Sequence, residues 1–576
     1  MLQIFWRILK RNNKTLKVDI HQGDNAFALL ENSQFRSNWE KLYRQCTWAT
    51  GFQSPNYAST WYKVYRHQFT PLIFTRYDSK NRVTGIFTLA FSPDEKRLLG
   101  AGDRQAEYHT WLTPPDQQDT FILEVLNRLD QIHPGLPLTL KYLSPGTPID
   151  CLRKGQGLVS KRCELEPFKR NFLHLDDKSK VETYVRSKKR LKTKMNNLKR
   201  AGKICFQRII SQTEFETALK EIIPLFDFRQ GAVNGVTPFR SNPLKRSFFL
   251  ELFKSSNLHV TVLTLDGQVI SALMSFYDRG VFPLGEIVHS AFMHKFSPGA
   301  LHLLMVVQLL ANEDFKEFDL TPGGDAYKDR MASGSGTVYA LTLHENRKQH
   351  IISRTNKRLN VLGQNILSRL PDEGARIKRI FHTMHSPAMI RKNISNIFLQ
   401  PSRKSAVYYI YSLASTQVKA QNHSINISKN NIADLLLFKP SEGGQAAWLA
   451  FLSESWKHIH KGAHLYTSTE NNNLEQLVWV LERYSQIVVP PETDQRVELP
   501  ENTACLFGFY SNALQSNNNK TCGDFLSTVM TELLENNTDL SRYYLEVPKQ
   551  DTNFRSLVEQ LGCTLENTGE QERTTP

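Results

Sequence analysis

The segment FDLTPGGDAYKDRM, residues 318–331, places the carboxylates Asp319 and Asp325, a Gly-Gly pair and an adjacent Tyr-Lys pair within fourteen residues. An apolar helical pattern precedes it, so its first three residues predict a short strand that runs into a glycine loop. Four roles suit such a loop: a metal pair, a phosphate cradle, an acyl-transfer site or a plain tight turn.

Two of these roles lack the spacing that they require. No His or Cys lies near the two carboxylates, and neither the calcium-loop nor the zinc spacing is present. Lys328 does not sit in the G-x-x-x-x-G-K-[ST] pattern of a P-loop. There remains a strand end at which Gly323 and Gly324 let the following residues turn back across the sheet. An acyl-transfer wall and a plain turn stay open as alternatives.

A second candidate is the segment HKFSPGALHLL, residues 294–304. Ser297 suits an N-cap, Pro298 suits the first helical position, and Gly299 allows a ligand to approach the backbone closely. The unpaired amide groups of a helix start form an anion site by geometry alone. The alternative is an ordinary helix cap.

The segment RSKKRLKTKMNNLKRAGK, residues 186–203, holds nine basic and no acidic residues. Leu191, Met195 and Leu198 recur at helical spacing, which predicts an amphipathic helix with a basic outer face. A solvated face is the simpler interpretation. Uncompensated charge of this density also favours an anionic partner: a glycan, the nucleotide end of a donor, lipid headgroups or tRNA.

Length and charge indicate several domains with different roles. The chain has 576 residues, too many for one core, and a formal charge of +16. Residues 431–576 carry 20 acidic and 10 basic side chains, so the preceding 430 residues hold a net charge of +26. The seven scattered cysteines, without a C-x-x-C pair, are typical of a reduced, cytoplasmic protein. Because residues 1–14 mix apolar and basic side chains, peripheral contact with the inner membrane stays an alternative.

One supersecondary plan recurs along the chain. Strand-like runs at residues 71–77 and 83–92, and again at 259–265 and 269–277, are joined by short polar turns. In the last third, DLLLFKP, ACLFGFY and YYLEV read as strands, and FLSTVMTELLENN reads as a helix. The recurrence predicts a mixed α/β (α+β) architecture with mainly antiparallel sheets flanked by helices.

Three segments together carry a family resemblance. FQSPNYASTW, PLGEIVHSAFMHKFSPGALHLL and FDLTPGGDAYKDRM resemble the CelD/BcsL family of the GNAT acyltransferase superfamily, which is linked to cellulose and exopolysaccharide biosynthesis. The layout is also similar to the FemAB peptidyltransferases, which carry two GNAT-like domains. The resemblance covers about residues 40–345, and the segment YYLEVPKQDTNFRSLVEQLGC separately looks like the end of a third GNAT-like unit, whose degeneracy stays open.

The resemblance implies a domain division and a set of site residues. The expected domains are 1–165, 166–345 (catalytic), a basic helical linker at 346–404, and an acidic GNAT-like domain at 405–576. The expected donor site, for the pyrophosphate of acetyl-CoA or another acyl-CoA, is Phe296, Ser297, Pro298, Gly299 and Ala300. The expected catalytic residues are Asp325, Tyr327 and Lys328, and the expected substrate-binding residues are Phe52, Gln53, Tyr108 and Arg229.

The reaction that the resemblance implies is transfer of an acyl group to a sugar or exopolysaccharide precursor, without a metal. In it, Lys328 holds a phosphate or a developing oxyanion, and Asp325 positions or deprotonates the acceptor. A Lys328–Asp325 surface pair over a packed Tyr327 is the structural alternative. Two other functions stay open: FemAB-like aminoacyl transfer from tRNA, and a non-catalytic scaffold for polysaccharide assembly.

Overall fold

The computed structural model describes residues 17–157, 159–255, 257–353, 355, 408–418, 425–440, 442–482, 502–512 and 519–566. The expected N-terminal amphipathic segment and nearly all of the expected linker lie outside these residues.

The first unit combines five strands with helices on both faces. Its elements are β1 (Val18–Gln22), α1 (Asp24–Glu31), α2 (Ser33–Gln45), α3 (Pro55–Val64), β2 (Thr70–Tyr77), β3 (Val83–Ser92), β4 (Arg97–Gly100), α4 (Gln118–Ile132), β5 (Leu138–Leu140) and α5 (Asp150–Arg153). The hairpin predicted for residues 71–92 is confirmed as β2 and β3.

The second unit repeats the plan with additional helices. Its elements are β6 (Cys163–His174), α6 (Lys178–Ser187), α7 (Lys189–Ala201), β7 (Ile204–Ile209), α8 (Gln212–Asn234), α9 (Pro238–Ser241), α10 (Leu244–Lys254), β8 (Leu258–Leu265), β9 (Gln268–Phe276), β10 (Val281–Pro283), β11 (Glu286–His289), α11 (Pro298–Asn312), β12 (Glu317–Pro322), α12 (Ala326–Met331) and β13 (Gly334–Leu343).

Local signals explain several of these elements. Asp266 and Gly267 both have positive φ, as a tight turn between β8 and β9 requires. Ser211 and Glu214 form a capping box at the start of α8, and Gly235 ends that helix in the left-handed conformation. The predicted basic helix is present as α7, with its apolar stripe against the body.

The third unit is similar in order to the other two. Its elements are β14 (Tyr408–Ala414), β15 (Ser428–Lys429), α13 (Ile432–Leu435), α14 (Gly444–His460), β16 (His464–Glu470), β17 (Asn473–Glu482), β18 (Thr503–Ser511), α15 (Asn519–Asn536), β19 (Arg542–Pro548), α16 (Thr552–Gln560) and β20 (Thr564–Leu565). The strand predicted for DLLLFKP is wrong. The Asn431 side chain accepts the Ala433 amide and starts the helical turn α13 there instead.

The described strands form three sheets. The first two units share a nine-stranded sheet in the order β1-β2-β3-β4-β5-β13-β6-β12-β10, joined where β5 pairs antiparallel with β13. A four-stranded sheet, β11-β9-β8-β7, belongs to the second unit, and a seven-stranded sheet, β15-β16-β17-β18-β19-β14-β20, to the third. The prediction of a mixed, mainly antiparallel α/β fold is confirmed.

Each unit contains one parallel pair joined by a helical crossover: β4–β5, β10–β12 and β18–β19. In the second unit this pair separates. β10 pairs with β12 as far as Pro283 and Asp319, and the chain then crosses to pair with β9 as β11. Gly285 permits the crossing, because a Cβ there would lie 2.2 Å from the Met274 carbonyl oxygen. A cleft therefore opens between β11 and the end of β12.

The third unit packs directly against the second. Helix α14 lies on α8, and Phe228 and Ala291 share an apolar cluster with Leu452 of α14. Gly231 makes the close approach possible, since a Cβ there would lie 2.8 Å from the Leu452 Cδ1. The third unit thus covers apolar surface of the second.

Candidate active site

A cavity of about 610 Å³ occupies the cleft between the diverging strands. One wall is β11, through Ile287 and His289, and the start of α11 lies beside it. Helices α6, α7 and α8 close the far side, and α12, which follows β12, supplies Tyr327. The cavity is therefore built by the separation of one parallel strand pair and by the two helices that bracket β12.

The start of α11 presents backbone to the cavity. Ser297 is the N-cap residue, with φ of 56°, and its side chain makes no capping hydrogen bond. The amides of Ala300 and Leu301 both donate to the Ser297 carbonyl oxygen, and Pro298 has no amide hydrogen. Gly299 contributes the remaining amide of this turn, at the positive end of the helix dipole.

Three of the five expected donor-site residues line the cavity, and the other two are packed behind its surface. Ser297, Gly299 and Ala300 line the cavity. Pro298 is buried, and Phe296 packs against an apolar cluster that includes Leu301.

The lining is electropositive. Four cationic side chains reach it, Lys188, Arg190, Arg229 and Arg330, and no carboxylate is among the lining residues. Arg229, on α8, donates from Nη1 to the Ile287 carbonyl oxygen at 3.2 Å. Burial lowers the pKa of Arg229, although Tyr327 and Asp325 favour its charged form. An anion in the cavity would relieve this concentration of positive charge.

The three expected catalytic residues occupy different positions. Tyr327 lines the cavity, and burial, assisted by Asp325, raises the pKa of its hydroxyl to about 12. Asp325 is 60% exposed and lies at the N-terminus of α12. Tyr327 is therefore the member of this group that can contact a molecule in the cavity.

Lys328 is buried beneath the glycine loop. Its Nζ donates to the carbonyl oxygens of Thr321 and Pro322, at 3.3 and 3.2 Å, and lies 3.7 Å from an Asp325 carboxylate oxygen. Burial lowers the pKa of Lys328. Thr321 has φ of 61°, a strained conformation for a β-branched residue, and Lys328 ties this strained strand end in place.

A second cavity, of about 260 Å³, lies where the first unit meets the second. Phe52 and Tyr108 line it together with Arg170 and Asp319. The Tyr108 hydroxyl donates to Asp319 Oδ2 at 2.8 Å, and Arg170 Nε donates to the same oxygen at 2.8 Å. A buried polar network therefore joins the two units at this cavity.

The expected substrate residues are thus split between the two cavities. Arg229 lies on the first cavity, whereas Phe52 and Tyr108 lie on the second. Gln53 is buried and donates from Nε2 to the Tyr108 carbonyl oxygen at 2.8 Å, which holds the backbone of this wall.

His289 also lines the cavity, although no sequence motif singled it out. It follows Ile287 by two positions at the end of a strand, so both side chains point to one face of the sheet. That alternation, immediately before the helix start at Ser297, was the available signal. Lys188 and Arg190 belong to the basic segment at residues 186–203, but their approach to the cavity follows from the packing of α7.

No group of three or more His, Cys, Asp or Glu side chains in the described part of the chain is arranged to hold a metal ion. No helix within the described ranges is long and apolar enough to cross a membrane.

Part of the second unit matches a known family of domains. Residues 186–329 match the family model of the acetyltransferase (GNAT) domain. No curated protein sequence matches the chain significantly.

Three solved structures are similar at low identity. FemX is 9% identical, with a TM-score of 0.37 over 53% of this chain and 95% of its own. L-PGS from Bacillus licheniformis is 14% identical, with a TM-score of 0.35 over 56% and 95%. A tandem GNAT protein from the clavulanic acid biosynthesis pathway is 10% identical, with a TM-score of 0.34 over 57% and 99%. The family match covers the α7 helix, both diverging strands and the start of α12, and the chain carries a GNAT-type acyltransferase domain there.

Proposed function

We propose that the large cavity binds an acyl-CoA, acetyl-CoA or a related thioester, and that the enzyme transfers its acyl group to a sugar or exopolysaccharide precursor, as the CelD/BcsL resemblance implies. The observation that carries the donor assignment is the lining of the cavity. Four cations without a carboxylate, beside the positive end of α11, form a site for a phosphate-bearing molecule.

The shape of the site fits such a donor. A cavity of about 610 Å³ is in the range of sites that hold cofactor-sized ligands. β11 pairs with β9 on one edge and leaves its other edge toward the cleft, where Arg229 already bonds the Ile287 carbonyl oxygen. The amide groups of an extended pantetheine arm can pair with such a strand edge. The donor phosphates would then lie near Gly299 and the basic rim.

The lining also supports the transfer step. The acceptor nucleophile attacks the thioester carbonyl carbon, the new bond to that carbon forms, and the carbon–sulfur bond breaks. Tyr327 remains protonated at neutral pH, because its pKa is raised to about 12, and it can donate a proton to the departing sulfur. Lys328 acts through the strand end that it holds, and Asp325 retains the predicted role of positioning the acceptor.

The second cavity is the proposed acceptor side. Aromatic side chains, including Phe52 and Tyr108, stand beside the charged groups of Arg170 and Asp319. This combination suits a sugar, whose ring faces are apolar and whose hydroxyl groups need hydrogen-bond partners. Arg229 would bind negative charge on the side of the donor.

One observation favours a second candidate function. Lys188 and Arg190 connect the cavity rim to the basic face of α7, so a long polyanion could extend from the cavity along this helix. An aminoacyl-tRNA donor, as in the FemAB layout, fits that continuity. The two donors differ in whether the basic face of α7 is required for binding.

The test replaces Gly299, which lines the cavity and makes no side-chain contact that stabilises the fold. A Cβ at Gly299 would meet only the His289 ring, at 3.5 Å or more, so Gly299→Leu extends into the donor site without backbone strain. Calorimetry with acetyl-CoA should show binding to the wild type and at least tenfold weaker binding to Gly299→Leu. The matched control is Gly336→Leu on β13, where a Cβ enters open space.

Two outcomes distinguish the donors. Binding of acetyl-CoA that weakens with added salt supports the acyl-CoA donor, because phosphate–cation contacts at the rim are screened. Absence of acetyl-CoA binding to the wild type refutes it. In that case, tRNA binding that is lost when Lys189, Lys192 and Lys199 on α7 are changed to Gln would support the second candidate.

A further inference from the structure

We infer that the acyl group of the donor is a hydrocarbon chain of medium length, such as octanoyl, and that the helical wall of the large cavity binds it. The inference rests on the proposed function and deepens it, because it names the class of thioester that the same cavity takes. It is carried by the apolar side chains of the cavity, by their depth relative to its cations and by the cluster that they join.

Apolar side chains line the cavity beside its cations. Five of them are aliphatic or carry a thioether: Leu191, Ile287, Leu303, Leu304 and Met331. All of these except Leu303 are half-buried, so part of their apolar surface is open to the cavity. Covering such surface with an apolar ligand is favourable, because it removes the surface from water.

The charged and the apolar parts of the lining differ in depth. Two of the four cations, Arg190 and Arg330, are exposed and therefore lie at the mouth of the cavity. Leu303 is only 4% exposed and lies at its floor. A ligand that suits both parts carries negative charge at one end and an apolar group at the other. A CoA thioester with a hydrocarbon chain has this composition.

The apolar lining is continuous across four elements and includes Tyr327. Leu303 belongs to a buried cluster, against which four partly buried side chains of the cavity pack: Tyr184, Ile287, Tyr327 and Met331. Tyr327 and Met331 are four residues apart on α12, so they lie on the same side of that helix. Because Tyr327 is the proposed proton donor to the departing sulfur, the apolar surface begins beside the reacting end of the donor.

The pantetheine arm does not account for this wall. Its amide groups are proposed to pair with the free edge of β11, and of the five apolar side chains only Ile287 belongs to that strand. The other four come from α7, α11 and α12, and an acetyl group has a single methyl group to place against them. A longer acyl chain covers more of the helical wall.

A hydrocarbon chain could also enter on a lipid-linked acceptor. The donor is the better source, because the four cations that suit donor phosphates line the same cavity as the apolar wall. The acceptor is proposed to bind in the second cavity instead.

The experiment compares acetyl-CoA with octanoyl-CoA by calorimetry on the full chain. Octanoyl-CoA has six more methylene groups, and each one that is buried strengthens binding about fourfold. Burial of two of them is enough for binding that is at least about tenfold tighter. The heat-capacity change on binding should also be more negative for octanoyl-CoA, because more apolar surface is buried.

Met331→Gln tests the wall itself. The substitution keeps the length of the side chain and makes it polar, so it should reduce the preference for octanoyl-CoA over acetyl-CoA by at least about threefold. Leu304→Gln gives a second measurement of the same kind. The matched control is Met305→Gln on α11, since Met305 is also half-buried against an apolar cluster but is not among the residues that line the cavity. Its preference should equal that of the wild type.

The outcomes separate the chain assignment from the proposed function. Octanoyl-CoA that binds the wild type less than about tenfold more tightly than acetyl-CoA overturns the chain assignment alone. An octanoyl preference that Met331→Gln and Leu304→Gln both leave unchanged also overturns it. If octyl glucoside below its micelle concentration strengthens acetyl-CoA binding while octanoyl-CoA gains nothing, the chain belongs to the acceptor and the inference is overturned. A wild-type chain that binds neither thioester overturns the proposed function itself.

Discussion

Arg170 supports the contact between the first two units, and its replacement by Met should destabilise the protein strongly. The guanidinium, on β6, donates from Nε to Asp319 Oδ2 at 2.8 Å and pairs through Nη2 with Glu317. The Asp319 side chain is 1% exposed and also accepts the Tyr108 hydroxyl from the first unit. Arg170→Met fills a similar volume and leaves these two carboxylates without their cation.

The expected loss follows from the burial of the pair. Removing one partner of a buried ion pair costs about 3–5 kcal/mol, because the remaining charge is no longer compensated. Asp319 keeps two hydrogen bonds, from the Tyr108 hydroxyl and the Thr321 amide, which favours the lower end of that range. At roughly 2–4 °C per kcal/mol for a unit of 150–250 residues, the melting temperature should fall by at least about 6 °C.

The adjacent residue offers a matched control. Lys169 pairs with Asp329 at 2.7 Å, but both side chains are more than half exposed. Such surface pairs contribute about 0–1 kcal/mol, so Lys169→Met should change the melting temperature by no more than about 4 °C. Thermal unfolding followed by circular dichroism measures both variants. Equal melting temperatures for the two variants would refute the assignment of Arg170 to a buried, stabilising network. Tyr108→Phe removes only the hydrogen bond from Tyr108 to Asp319, so its melting temperature should lie between those of the other two variants.

Three other results are expected. Gly231→Leu should overpack the contact with Leu452 and cost about 1–3 kcal/mol, which would appear as earlier proteolytic cleavage of the third unit; an unchanged digestion pattern would contradict the close approach. Burial lowers the pKa of both His302 and His259 to about 3, so between pH 6.5 and about 3 the unfolded chain binds more protons than the folded one. Stability should therefore fall as the pH drops through this window, by up to about 1.4 kcal/mol per pH unit for each histidine, and equal melting temperatures at pH 7.5 and pH 5 would contradict this. Lys328→Met should lower turnover at least tenfold without loss of the folded state, and unchanged turnover would remove Lys328 from the mechanism.

The sequence predicts local structure well where turn residues, helix starts and apolar runs favour the element that the fold contains. The hairpin turn at Asp266 and Gly267, the start of α11 at Pro298 and the strand that precedes the glycine loop are all present as expected. The segment DLLLFKP shows the opposite case. Its apolar run predicts a strand, but the Asn431 side chain caps the next amides and starts a helical turn.

The site could be predicted only in part, because its residues come together through long-range pairing. Sequence motifs located Ser297, Gly299 and Tyr327, which share one cavity. The motifs could not show that Arg229 and Tyr108 line different cavities. That difference depends on how β5 and β13 join two units in one sheet. The burial of Lys328 could not be predicted from the sequence either, because its partners are backbone carbonyl groups of a strained strand end.

The pairing of strand edges explains why the proposed donor site lies in the second unit, although each unit contains a parallel pair. In the first unit, β5 pairs with β4 on one edge and with β13 on the other, so both edges are occupied at Leu138 and Thr139. In the second, β12 loses its β10 partner after Asp319, while β6 still supports its other edge as far as Pro322. The free edge and the crossing at Gly285 create the cleft, and the basic helix α7 lies next to it. Four cationic side chains therefore line the cavity where the fold leaves backbone unpaired, and this coincidence is the physical basis for proposing an anionic donor there.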